Sequence, residues 1–323
     1  MSTWQEAPLG AGALASPWQD PGFPYRLAGS GWIWSDGDAS LGLAVRQARH
    51  DEDRLIRIGI IRDLTGRLPV ETVMTKAAEL GLDALVHEAA AGTPAPASAG
   101  AHSWQALGHV VQVRRVPLWR TLHVPGHKIH RVSETDVQAL AMHLERHRTG
   151  LALAPTADAA QFQQGLALCP GLDLDTFRIV RRDGALVALA GLWAPGAFHR
   201  SAAPGPGPLT RAALSASSLL GRHAPWPAGR PGARGNTGHV RVLAYKPDQW
   251  DAIALLLSGL AGELRRWGLQ QMAINLREGD PVLGLLPGGP GSSRKRILWY
   301  LGLSEIAREA PSGTPDPNLV DPW

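Results

Sequence analysis

One pattern is written twice along this chain. Residues 55–109 hold an apolar run, Leu55-Ile56-Arg57-Ile58-Gly59-Ile60-Ile61, then a helix-patterned segment ending at Gly81. A second short run, Asp83-Ala84-Leu85-Val86, and a closing Trp104-Gln105-Ala106-Leu107-Gly108-His109 complete the first copy. Residues 240–303 repeat the order in different letters. There the run is Val240-Arg241-Val242-Leu243-Ala244-Tyr245, and a helix pattern over 248–267 closes on Gly268. Met272-Ala273-Ile274-Asn275-Leu276 and Leu298-Trp299-Tyr300-Leu301-Gly302-Leu303 follow. Each copy is preceded by two apolar runs joined at Asp-Gly: Trp32-Ile33-Trp34 through Asp36-Gly37 to Leu41-Gly42-Leu43-Ala44-Val45, and Phe177-Arg178-Ile179-Val180 through Asp183-Gly184 to Leu186-Val187-Ala188-Leu189. An Asp-Gly pair in that setting predicts a tight hairpin, because both central residues of a type I′ turn need positive φ. A repeat of this length predicts two copies of one α/β unit.

The copies differ in what leads into them. Ahead of the second lies a strand pattern, Lys128-Ile129-His130-Arg131-Val132, and then a helix. Ser133 is its N-cap, with Asp136 completing an imperfect capping box. Val137, Leu140, Ala141 and Leu144 form its apolar stripe at i, i+3, i+4 and i+7. A further helix is expected over 157–168. The first copy has no such opening. The expected organisation is an irregular arm over 1–28, a truncated domain over 29–125, a complete domain over 126–310 with an insertion at 196–238, and a tail over 311–323. The insertion is Pro/Gly/Ala-rich, with a helix pattern at 209–220.

At 323 residues the chain is long enough for two ordinary cores. No apolar run approaches the roughly 20 residues of a membrane span. Met1-Ser2-Thr3-Trp4-Gln5-Glu6 lacks a basic stretch followed by an apolar core, so no signal peptide is expected. Cys169 is the single cysteine, which rules out an internal disulfide or a cysteine-based metal cluster. A reducing cytoplasm is the expected compartment. The formal charge of +4 is small and spread out, so no membrane surface or nucleic acid is expected as partner. The one basic triplet, Arg294-Lys295-Arg296, reads as a solvated helix start. Twelve tryptophans stand against three tyrosines. Trp32, Trp34, Trp193 and Trp299 lie in apolar runs and are expected in the core, whereas Trp4, Trp18, Trp226 and Trp323 lie in loose or terminal context.

The order of strand, two helices, hairpin, strand–turn–helix, strand and Leu-Gly helix end resembles the GNAT superfamily of N-acyltransferases. The resemblance implies an α/β (α+β) fold: two GNAT-like domains, each a mixed central sheet flanked by helices, the N-terminal one incomplete. It covers about nine-tenths of the chain in element order. The family's signature is Gln/Arg-x-x-Gly-x-Gly/Ala at the turn from central strand to helix, where backbone N–H groups hold the pyrophosphate of acyl-CoA. The matching positions here are Gln249, Trp250, Asp251, Ala252, Ile253 and Ala254. Gln249 and Ala254 fit, and Ala252 replaces the first glycine. Asp248 is the expected N-cap and Asp251 lies in the first turn, where each would repel an incoming phosphate. The first copy, Arg62-Asp63-Leu64-Thr65-Gly66-Arg67-Leu68-Pro69, does not register on the signature and is not expected to bind CoA.

Many GNAT enzymes place a proton-donating tyrosine about four residues before the glycine of the Leu-Gly element. Leu298 and Trp104 occupy that place here, so Tyr300 is the nearest substitute; on a helix, its two-residue offset turns it by about 200°. Glu278 and Asp280 are candidate bases after the second strand, and Asn275 is placed to orient a water or the pantetheine arm. On the splayed central strand the backbone groups of Leu243 and Tyr245 would pair with pantetheine amides. His143 and His147 stand at i and i+4, a spacing able to bind a metal, but no third ligand is evident and a solvated helix face is the expected setting. No metal is expected. The implied function is acyl-CoA-dependent N-acyl transfer, with acetyl-CoA or another acyl-CoA as co-substrate and direct attack by an amine of unspecified type. The alternative is a GNAT-derived binding or interaction module without catalysis. Oligomeric state has no sequence signal.

Overall fold

The structure is a computed structural model. It describes residues 3–6, 31–36, 39–51, 54–63, 69–98, 100, 102–117, 122–155, 158–168, 171–194, 237–269, 271–286, 291–317 and 319. Nearly all of the expected insertion and its helix lie outside the described residues, as do Cys169, Trp18, Trp226, Trp323 and most of the arm. The described strands are β1 (Thr3–Glu6), β2 (Gly31–Asp36), β3 (Ala39–Arg49), β4 (Leu55–Asp63), β5 (Ala84–Ala90), β6 (Gln105–Arg115), β7 (His127–Arg131), β8 (Leu151–Ala152), β9 (Phe177–Arg182), β10 (Ala185–Trp193), β11 (Thr237–Tyr245), β12 (Gln271–Arg277), β13 (Gly291–Gly302) and β14 (Thr314–Pro315). The helices are α1 (Val70–Glu79), α2 (Val137–Arg148), α3 (Ala159–Leu168), α4 (Trp250–Arg266) and a single turn, α5 (Val282–Leu285).

The chain divides into two compact units that do not follow the sequence halves. One gathers Met1–Val111, Arg148–Thr156 and Arg294–Trp323; the other gathers Gln112–His147 and Ala157–Ser293. The first unit therefore takes β13, from Arg294 on, from the second repeat. Its strand order is β1-β2-β3-β4-β5-β13-β6, and β13 runs antiparallel to β5 from Arg296↔Ala90 to Gly302↔Ala84. Strands β4 and β5 pair in parallel, from Ile58↔Ala84 to Ile61↔His87. Leu298 and Tyr300 enter a core with Ile58, Ile60, Val86, Leu107 and Leu319. Burial of side chains this size stabilises by about 1.5–3 kcal/mol each.

The helix expected at the Leu-Gly element is corrected in both copies, where β6 and β13 are strands. Alternate residues Leu298 and Tyr300 are buried while Ile297 and Trp299 are half-buried, which is the period of a strand. The triplet Arg294-Lys295-Arg296 is accordingly strand, not helix start, and Arg296 pairs with the buried Glu88. Gly302 has a steric reason: an added Cβ would lie 1.8 Å from the Ala307 carbonyl oxygen, where the chain folds back over the strand end. The arm and tail are also more regular than expected. Thr3–Glu6 pair with β2, and β14 pairs in parallel with β8. Asp316 is fully buried and stands 3.6 Å from Arg148 Nε.

The second unit has the strand order β12-β11-β10-β9-β7. The β9–β10 hairpin closes Arg182 on Ala185, with Asp183 and Gly184 at φ 51° and 82°, the positive pair that a type I′ turn needs. In the first unit Asp36 pairs with Ala39. Helix α4 buries Ile253, Leu256, Leu257, Leu260 and Leu264. Gly238 of β11 lies directly beneath the Leu264 side chain, where a Cβ would not fit. Arg178 and Glu263 form a buried ion pair at 2.7 Å. In α2 the stripe Val137, Leu140, Ala141 and Leu144 is buried as its spacing predicts, and Ser133 N–H donates to Asp136 Oδ2 at 2.9 Å just ahead of it.

Candidate functional site

Strand β11 of the second unit is bent by one extra residue. Against β10 it pairs Ala188↔Tyr245 and Leu189↔Ala244, then skips to Gly191↔Arg241. Val242 sits inside the skip at φ 56°, a conformation that a β-branched residue adopts only under strain. Parallel pairing of β11 with β12 stops just before this point, at Val240↔Ile274. Residues 241–245 of β11 extend past the end of this ladder, and Asn275 is the first β12 residue past the split. The first copy lacks this device: β4 pairs with β3 without a break from Leu41↔Asp63 to Arg49↔Leu55.

Beyond Tyr245 the chain turns through Asp248, at φ 62°, and α4 begins. The N-cap is Gln249, not Asp248, and no side chain caps the terminus. Gln249 instead accepts from Arg182 Nη1 at 3.4 Å. The first intrahelical bond is Ile253 N–H to the Gln249 carbonyl at 3.1 Å, which leaves the N–H groups of Trp250, Asp251 and Ala252 as the first-turn donors. Asp251 is exposed, Ala252 is fully buried and Ala254 half-buried. The Trp250 ring lies 6.1 Å from that of Tyr245.

Tyr245 and Leu243 are both buried, and Tyr245 is the centre of the described site. Its hydroxyl donates to Asp280 at 3.2 Å, and Asp280 also accepts Val282 N–H at 2.9 Å, fixing the start of α5. Burial, reinforced by the Asp280 charge, pushes the Tyr245 hydroxyl up to about 12. Asp280 is thus committed to Tyr245 and α5. Glu278 is exposed and Asn275 half-buried on either side of Arg277, whose Nε lies 3.7 Å from Asp280.

Two residues that the sequence placed on a solvated helix face are brought here instead. His147 lies against the Tyr245 ring with centroids 4.8 Å apart. Its Nδ1 is 3.1 Å from the Tyr245 carbonyl oxygen and 3.3 Å from the Tyr245 nitrogen. His143, one turn back, is buried at 7% exposure. Burial first, then the neighbouring His147 charge, lowers its pKa to about 4, while its hydrogen bond to the Ala244 carbonyl acts the other way. The helical stripe itself carried this signal: from Leu140, the i+3, i+4 and i+7 positions are His143, Leu144 and His147. Among the described residues no group of three or more His, Cys, Asp or Glu is placed to hold a metal.

Tyr300 lies in the first unit, fully buried, with its hydroxyl donating to the Ala307 carbonyl at 2.8 Å. It shares a strand face with Leu298, so the 200° helical offset does not arise. In the first copy the terminus of α1 carries Glu71 beside a groove of about 650 Å³ lined by Pro69, Val70, Thr72, Met74 and Ala97. Among the described residues no helix is long and apolar enough to cross a membrane.

No protein-family model matches the sequence, and no curated protein matches it. Solved structures do. One is a GCN5-related glucosamine N-acetyltransferase region of a fungal multi-domain GH3 β-N-acetylglucosaminidase, at TM-score 0.51 and 10% identity over 93% of this chain. This chain spans 38% of the length of that fungal protein. N-myristoyltransferase from Saccharomyces cerevisiae with bound myristoyl-CoA superposes at TM-score 0.54 and 10% identity, over 94% of this chain and 71% of that one. A second structure of the same yeast enzyme gives 0.51 and 10%, over 86% and 73%. At such identity the likeness is one of fold, and the fold is that of the GNAT superfamily.

Proposed function

We propose that this GNAT-fold chain is an acyl-CoA-dependent N-acyltransferase whose second unit binds the acyl-CoA. The observation that carries this reading is the bulged end of β11, extending past the β12 ladder and leading directly into a helix N-terminus with no side-chain cap. A strand edge that its neighbouring strand has left offers amide donors and acceptors to an extended arm, and the first-turn N–H groups of a 17-residue helix offer partial positive charge to phosphate. Leu243 and Tyr245 would serve the pantetheine arm, and Trp250, Asp251 and Ala252 the pyrophosphate.

The reaction is direct attack. An ammonium acceptor loses a proton to a base, the free amine nitrogen bonds the thioester carbon, the C–S bond breaks, and the leaving thiolate takes up the second proton that the nitrogen sheds as the amide forms. Glu278 is the base we put forward and Asn275 the residue that orients the arm or a water. Tyr300 has no place in this chemistry, since its hydroxyl is engaged with Ala307. Acetyl is the simplest donor, and longer acyl chains are the alternative that the yeast myristoyltransferase likeness recommends testing.

A second reading, a binding module without catalysis, is favoured by two residues at the same turn. The Ala252 methyl is fully buried where the family signature has glycine, and Asp251 adds a negative charge to the first turn. Calorimetric titration of acetyl-CoA and of a long-chain acyl-CoA separates the two. Saturable heat with either, and release of free thiol on adding an amine panel, is the expected result. Absence of heat with both removes the enzyme reading and leaves the module.

A further inference from the structure

The β10 ladder fixes which way the Tyr245 backbone points. Lys246 N–H bonds to the Val187 carbonyl at 2.9 Å. The Ala188↔Tyr245 pair is therefore the non-bonded kind, and the Tyr245 N–H and C=O both face away from β10. That is the side β12 has left, because parallel pairing ended at Val240↔Ile274. The edge is occupied by His147: one ring nitrogen, Nδ1, stands within hydrogen-bond distance of both the oxygen and the nitrogen of Tyr245. A single imidazole nitrogen either donates or accepts. It serves one of these two backbone groups at a time, whereas a neighbouring strand, or any extended ligand carrying an amide, serves both.

We infer that His147 is a placeholder on the acyl-CoA strand edge: an amide of the pantetheine arm takes over the Tyr245 N–H and C=O, and His147 must leave them for the arm to bind. His147 thereby sets acyl-CoA affinity, and the inference rests on the proposed acyltransferase reading. The imidazole is well suited to this, since its ring already lies tilted against that of Tyr245 at 4.8 Å and it competes through only one hydrogen bond at a time. A net hydrogen bond in this range corresponds to about a three- to tenfold change in dissociation constant.

The test is acetyl-CoA binding by calorimetry to the full chain, native and with His147→Ala or His147→Gln, folding being followed by circular dichroism. Removing the placeholder tightens binding by about three- to tenfold in His147→Ala. A glutamine amide has both a donor and an acceptor, holds both Tyr245 groups at once and weakens binding. The expected order of affinity is therefore Ala, native, Gln. Unchanged or weaker binding by a folded His147→Ala chain overturns the inference; should that chain fail to fold, His147→Gln decides alone, and unchanged or tighter binding overturns it. If neither the native chain nor the variants bind any CoA thioester, the acyltransferase reading falls and takes the placeholder with it. If the native chain binds and the order fails, only the placeholder falls.

Discussion

His143 shows how one residue can be read from its helix and still be misplaced. The apolar stripe runs through Leu140, Leu144 and the two histidines between and after them, so the spacing alone puts His143 inside. The i, i+4 histidine pair suggests polarity, and that drew the expectation to the solvated face. Packing against β11 wins because His143 gives a hydrogen bond to the Ala244 carbonyl there, and a buried polar group with a partner loses little. The consequence is a pH dependence. The folded-state pKa is lowered from 6.5 to about 4, so the unfolded chain takes up a proton that the folded chain refuses. This contribution to stability is intact above about pH 6.5 and is lost as the pH falls towards 4. Between pH 7 and pH 5 the loss from this one group is about 2 kcal/mol. His143→Gln keeps a donor for Ala244 without a titrating ring, and should flatten that part of the profile. Urea midpoints at the two pH values are the measurement; equal slopes in native and variant chains would sink the assignment.

At the scale of elements, the strand–turn–helix cores, both hairpins and the α2 stripe were legible because each rests on local periodicity or turn chemistry. The Leu-Gly elements were not. Their glycines mark close approaches that no periodicity announces: the chain folds back at Ala307 over Gly302, and Pro315, distant in sequence, lies 3.1 Å from where a Cβ on Gly108 would stand. The N-terminus of α4 is a subtler case. Asp248 has the composition of an N-cap, but the turn out of Tyr245 needs a left-handed residue one place before the helix, and Asp248 supplies it at φ 62°. Gln249 becomes the N-cap by default, and the helix dipole is left uncapped for use. The two roles predict opposite effects of Asp248→Gly. Removal of a true cap would destabilise the helix, whereas relief of positive φ at an exposed residue should stabilise the protein by about 0.5–1 kcal/mol. Thermal unfolding of the variant decides, and a lowered midpoint would restore Asp248 as a cap.

For the whole molecule, duplication in sequence and compactness in space part company. The sequence offers a truncated copy over 29–125 and a complete one over 126–310, which invites cutting at the junction. Contacts group the chain otherwise: β13, near the end of the second repeat, pairs with β5 of the first along seven residue pairs. The first unit is further closed by β14 on β8 and by Asp316 on Arg148, both buried. A fragment of residues 1–125 would lose β13, leaving the β5 edge open, and would lose Leu298, Tyr300 and Leu319 from its core. A fragment of residues 126–323 would keep β13 but lose β5, and an unpaired strand with alternate buried side chains is prone to aggregate. Breaking a buried ion pair from one side alone costs about 3–5 kcal/mol, so further trimming of the tail ahead of Asp316 would compound the loss. We therefore expect neither fragment to unfold cooperatively on its own, and the two co-expressed to recover a single cooperative transition by calorimetry. If residues 126–323 alone melt in one sharp transition, the second repeat is a self-sufficient domain and the pairing of β13 with β5 is dispensable for its folding.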